Sequence, residues 1–174
     1  MKRCIVVDAS VAKACGKARL GANSPAPECV AALAAIKDGD LRTAMSPSLR
    51  DEWTRHAGDY AKRWLGNMIA RKRFVAIASK WEGEMVLERA AENLPDCHRR
   101  EILKDMHLIS IAMCTDRRVL SLDEAQRGLL AIIASEVVLI CSLHWVNPRT
   151  EGVQRWLLTG ASEESLFCIR MTGT

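Results

Sequence analysis

Aromatic residues are scarce in this chain: two Phe, one Tyr and five Trp among 174 residues. Folds that read RNA by stacking bases on a sheet of exposed Phe and Tyr need more of them, so that class is disfavoured. No hydrophobic run is long and clean enough to span a membrane. The longest apolar region, 129–146, is interrupted by Ser135-Glu136 and His144, and reads as a buried helix followed by a buried strand. Met1-Lys2-Arg3 is basic, but the apolar stretch Cys4–Val7 behind it is too short for a secretory signal. Cysteine pairing signals are also missing. The seven cysteines (4, 15, 29, 97, 114, 141 and 168) are odd in number and scattered, with no C-x-x-C. Free, largely buried thiols in a reducing compartment fit better than a disulfide frame or a zinc site, so the cytoplasm is the expected location. Neither G-x-x-x-x-G-K-[ST], G-x-G-x-x-G nor G-x-S-x-G occurs. P-loop, dinucleotide-binding and serine-hydrolase chemistry therefore have no support.

What is present suits one globular domain. Hydrophobic residues make up 49% of the chain, enough for a real core. The net charge of +4 permits a polyanionic partner and equally describes an ordinary solvated surface. Cys4–Val7 reads as a fully buried strand. Val11–Ala18 reads as a short helix, 21–27 as a loop, and Glu28–Lys37 as a helix introduced by Pro25 and Pro27. Leu41–Met45 is a second strand. Ser46-Pro47 opens a helix carrying Leu49, Trp53, Ala57, Tyr60 and Trp64 on one face. The segment Arg50–Arg73 is locally basic. The pattern over 74–79 does not decide between strand and helix. Helices are expected over 82–92, 99–114 and 125–134, strands over 119–122 and 137–143. A terminal helix containing Val153, Trp156 and Leu157 should stop at Gly160. Strand and helix alternate, which predicts a three-layer α/β/α sandwich with a mainly parallel sheet. Residues 1–148 form the domain in this reading, and 149–174 a helix and tail packed on it.

In open α/β sheets, sites form at the C-terminal edge of the strands. Asp8 directly follows the first strand and Asp123 the third confident one. One such Asp often just caps the next helix; two at the same edge are more suggestive. Asp105 begins the apolar stretch of a helix, where a carboxylate is costly unless paired or bound to a cation; the bland alternative is a solvated stripe beside Lys104. Asp116 and Glu52 are weaker singly, as a turn cap and a surface helix residue. Carboxylates without a cysteine or histidine cluster favour Mg²⁺ or Mn²⁺ over zinc. His56, His98, His107 and His144 have no ligand spacing and read as surface or packed residues.

Val6-Val7-Asp8-Ala9-Ser10-Val11 resembles the opening motif of PIN-domain nucleases. The segments 46–53, 104–109 and 116–124 resemble the next three: a Ser followed six residues later by Glu52, Asp105 opening a helix, and a short strand ending in Ser121-x-Asp123. All four stand in the family's order and cover roughly residues 4–147. The resemblance implies a metal-dependent ribonuclease that hydrolyses phosphodiester bonds. Asp8, Glu52, Asp105 and Asp123 would be the catalytic, metal-holding carboxylates, with Asp116 as a fifth metal ligand. Ser10 and Ser121 would position a water or phosphate. The helices with Trp53, Tyr60 and Trp64 offer a homodimer surface or a partner groove, and the resemblance implies a toxin role, with RNA as substrate and an antitoxin on that surface. Residues 71–96 and those beyond Pro148 look like additions to the family's pattern. Asp51 competes with Glu52 for the inward position, and the motif favours Glu52. Two other classes remain: a haloacid-dehalogenase-like phosphatase, which wants Asp-x-Asp where this chain has Ser10, and a catalytically silent PIN module that binds nucleic acid or protein.

Overall fold

In the computed structural model, which describes residues 2–16 and 26–170, the chain begins with strand β1 (Cys4–Val7) and helix α1 (Ala9–Ala14). Then come α2 (Ala26–Asp38), β2 (Arg42–Met45), α3 (Pro47–His56), α4 (Asp59–Ala70) and β3 (Phe74–Ala76). The second half runs α5 (Glu84–Ala91), α6 (Asp96–Lys104), α7 (Met106–Met113), β4 (Arg118–Leu120), α8 (Glu124–Ile133), a 3₁₀ turn (Val138–Ser142), β5 (His144–Val146) and α9 (Val153–Leu158). The far end of the expected 11–18 helix and most of the expected 21–27 loop lie outside the described residues.

All five strands are parallel, in the order β3-β2-β1-β4-β5. The chain winds outward from β1 through β2 to β3, then returns to the other side of β1 for β4 and β5. The point where that direction reverses lies between β1 and β4. Every residue of β1 is buried, because a central parallel strand is covered on both faces. Helices α1, α2, α4 and α9 pack among themselves, and α5, α6 and α8 form a second group; α7 lies against β1, β2 and β4. The result is the expected three-layer α/β/α sandwich. None of the described helices is long and apolar enough to cross a membrane.

Three expectations are corrected. The apolar face shared by Leu49 and Trp64 suggested one helix, but the chain breaks at Ala57-Gly58 into α3 and α4. Gly58 donates its N–H to Ala12 O at 3.1 Å, and a Cβ on Gly58 would fall 2.3 Å from Gly16 Cα. Two backbones thus touch where only glycine fits. The region 99–114 is likewise two helices, separated at Asp105 (φ −99°, ψ 9°). The apolar run 137–143 forms the 3₁₀ turn and its flanks, and the strand comes later, at 144–146. A continuous apolar run cannot by itself distinguish a buried strand from a buried turn. The undecided stretch after Arg73 is the edge strand β3.

Four tryptophans anchor this frame by donating indole N–H groups to backbone carbonyls: Trp53 to Val7, Trp64 to Leu33, Trp145 to Asp123 and Trp156 to Ser162. Each is buried, and each satisfies a donor that burial would otherwise penalise. Helix α9 packs on α2, and the segment after it returns to the sheet, where Ile169 N bonds Leu143 O at 2.8 Å.

Candidate functional site

Three carboxylates gather at the C-terminal edge of β1 and β4, the two strands flanking the winding reversal. Each stands at the start of a helix: Asp8 before α1, Asp105 before α7 and Asp123 before α8. Asp8 Oδ1 accepts from Ser10 N at 3.2 Å, and Asp123 Oδ1 from Gln126 N at 2.8 Å, so both residues do cap their helices. Capping and a site role are compatible here, because each carboxylate keeps a second oxygen.

Asp8 Oδ2 is fixed by two hydroxyls, Ser10 Oγ at 2.5 Å and Ser121 Oγ at 2.7 Å. Ser10 Oγ in turn accepts from Leu122 N, and Ser121 Oγ from Asp123 N. A hydroxyl carries one proton. In this geometry both protons serve Asp8, so the two serines position that carboxylate. The mesh also locks the β1 and β4 ends together, because Asp8 N donates to Leu120 O at 3.0 Å.

Asp105 has no side-chain cap bond. Burial pushes its carboxyl up to about 6, with the charges of Asp8 and Asp123 adding to the rise and Lys104 and His107 opposing it. The three acids therefore share one electrostatic environment. Lys104 responds in turn: Asp105 first, then Glu101, hold its ammonium above the ordinary value. Among the described residues, no group of three or more Asp, Glu, His or Cys side chains is drawn tightly enough to hold a metal ion. The donor chemistry still fits a hard dication: the three groups are carboxylates, and a cation would relieve the part of the rise in Asp105 that comes from its like-charged neighbours.

Glu52 lies at the flank of this group. Its neighbour Trp53 is tied to Val7 O, beside Asp8, but the Glu52 carboxylate reaches His107 on α7, Oε1 to Nε2 3.5 Å. That contact is not a hydrogen bond, and His107 Nε2 has no hydrogen-bond partner among the described residues. The competing Asp51 is exposed while Glu52 is half-buried, so of the two it is Glu52 that turns toward the site. Asp116 is placed elsewhere. It precedes β4, and its Oδ2 accepts from Cys4 N at 2.7 Å, at the beginning of β1. The sheet's full strand length separates it from Asp8, so it does not belong with the other acids. Sequence reasoning passed over His107, treated as a surface or packed histidine, and Gln126, whose buried amide has no polar partner among the described residues. The spacing from Asp105 to His107 carries no signal until α3 is seen against α7.

No protein-family model matches the chain, and no curated protein is significantly similar to it in sequence.

Proposed function

We propose that this protein is a Mg²⁺- or Mn²⁺-dependent endoribonuclease of the PIN type. The observation that carries the reading is the meeting of Asp8, Asp105 and Asp123 at the winding reversal, where open α/β sheets place their ligands. These are the acids that the ordered motifs pick out. Asp8, Asp105 and Asp123 would hold the cation, with Glu52 joining from α3. When bound, that cation would neutralise charge on the phosphate and acidify the attacking water. The chain's own residues do the rest. Ser10 and Ser121 keep Asp8 in one orientation, and the Trp53 indole holds the β1 end on which Asp8 is mounted. Lys104, beside Asp105, offers positive charge to an incoming phosphate. The basic segment from Arg50 to Arg73 would grip the RNA backbone. If it does, affinity should fall steeply between about 50 and 200 mM salt, and a salt-insensitive affinity would remove that role. The resemblance extends the proposal to a cytoplasmic toxin held in check by an antitoxin.

A second reading has its own observation. Glu52 is turned to His107, and Asp8, Asp105 and Asp123, though neighbours, are not drawn tightly enough to hold an ion, which suits a PIN module that binds without cutting. The deciding experiment is cleavage of labelled single-stranded RNAs and DNAs with Mn²⁺, Mg²⁺ or EDTA, using the wild type and Asp8→Asn. Metal-dependent cutting of RNA that disappears in the variant supports the nuclease. Absence of cutting, or equal cutting by both proteins, removes it in favour of the binding module.

A further inference from the structure

The nuclease reading leaves the recognition of sequence unexplained, and a cleft beside the acidic group offers a means. It has a volume of about 370 Å³ and opens over the ends of β2 and β3. Met45 and Ala76 are the last residues of those strands, so the cleft shares the edge that carries Asp8. Adjacent strands lie about 4.8 Å apart, which puts the cleft roughly 5–10 Å sideways from the end of β1. A nucleotide next to a phosphate at Asp8 would reach it.

Two flat groups line the cleft. Arg50 Cζ stands 6.0 Å from the centroid of the Phe74 ring. That is the outer limit of a direct cation–π contact. It is under twice the ~3.4 Å stacking repeat of bases, so a planar ring enters between the two as Arg50 swings outward. Arg50 is exposed and can adjust, whereas Phe74 is half-buried on the edge strand and packed against the core. The rim carries a hydrogen-bonding group suited to a base edge, the exposed Asp51 carboxylate as acceptor, while the Ser46 hydroxyl beside it caps α3 and bonds Ser48. Apolar floor, stacking walls and a polar rim are what an unpaired base requires.

We infer that Arg50 and Phe74 form a slot for one unpaired nucleobase of the RNA strand, next to the scissile phosphate. This rests on the nuclease reading of the acidic site. The slot gives a chain poor in aromatics a single stacking position in place of a platform. It binds one base and makes that base the one on which specificity depends.

The test uses a mixed-sequence 2′-O-methyl hexaribonucleotide in which one abasic position is walked along the strand. The full-length protein carries Asp8→Asn, so that the probe survives. One abasic position should weaken binding roughly 5- to 100-fold, the range expected for loss of a stacked base. With Phe74→Leu added, which keeps an apolar side chain but removes the ring, the intact probe should bind more weakly and the penalty at that position should shrink to about twofold or less. Phe74→Trp should restore it. A melting curve checks that Phe74→Leu remains folded. Binding with an equal penalty at every position, or a penalty that Phe74→Leu leaves unchanged, overturns the slot while leaving the nuclease standing. Failure of every probe to bind, together with absence of metal-dependent cutting by the wild type, removes the nuclease reading and the slot with it.

Discussion

The two edges of the sheet treat charge in opposite ways. At the C-terminal edge, Asp8, Asp105 and Asp123 stand together, and Asp105 is raised by burial and by its like-charged neighbours. At the N-terminal edge most charges and polar groups have partners, although Arg118 Nη2 and His144 Nδ1 have none among the described residues. Asp116 accepts from the Cys4 backbone, and the buried Arg118 donates to Ala161 O and to Asp116 O. Asp40 lies between Lys2 and Arg73, which hold its carboxyl below the ordinary value. A fold has no stability reason to gather like charges where it could pair opposite ones. The edge where the acids gather is therefore the place to look for the proposed chemistry, and the other edge the place to look for what holds the sheet.

The sharpest way to break that division is to alter one acid at each edge. Asp8→Asn should lower metal-dependent cleavage at least about 100-fold, as loss of a group acting on the reacting phosphate does. Asp116→Asn keeps an oxygen for Cys4 N and should leave cleavage within about threefold. Comparable losses in both variants would erase the contrast between the edges.

The N-terminal edge should show itself in stability. Arg118→Met preserves much of the side chain's bulk but strips the donors from two carbonyls, and should cost about 2–4 kcal/mol by urea unfolding. The variant's response to Mn²⁺ should match the wild type's, because Arg118 sits at the far end of β4. A loss of metal response together with stability would link edges that the structure keeps apart.

Much of this contrast was legible in the sequence. Cys4–Val7 is strand from end to end, as its β-branched run implied, and Asp8 and Asp123 fall where the alternation of strands and helices put them. Asp105 opens a helix, as the resemblance required. What escaped was set by contacts between distant segments. The break at Gly58 depends on Gly16, 42 positions earlier in the chain, pressing against its backbone. The resemblance groups Asp116 with the acids, in the same motif as Asp123, yet β4 between them carries the two to opposite edges. His107 gained its partner only when α3 met α7. Periodicity reports which face of an element is buried, not which element it meets.

Asp105 sharpens the comparison through a change of sign. Its carboxyl sits at about 6 in the folded protein against an ordinary 3.8, so the folded state holds that proton more tightly than the unfolded one. Stability from this group is fully present below the unfolded value and is lost as pH rises through about 6. At pH 7 in EDTA the ionised Asp105 opposes folding. Asp105→Asn should then stabilise the protein by about 1–2 kcal/mol, less than the full shift implies because the site is partly solvated. The N-terminal edge works the other way. Burial, with Arg118 adding to it, lowers the His144 imidazole, so acid below its ordinary 6.5 weakens the fold. The informative quantity is therefore the difference between wild type and Asp105→Asn, which should grow from pH 4 to pH 7. Excess Mn²⁺ should reverse the ranking. A ligand at 100 times its Kd adds about 2.7 kcal/mol to the form that binds it, and the variant has given up one of the oxygens that would hold the ion. A wild type that stays the less stable protein in both EDTA and Mn²⁺ would mean that the acids gather there for some reason other than a cation.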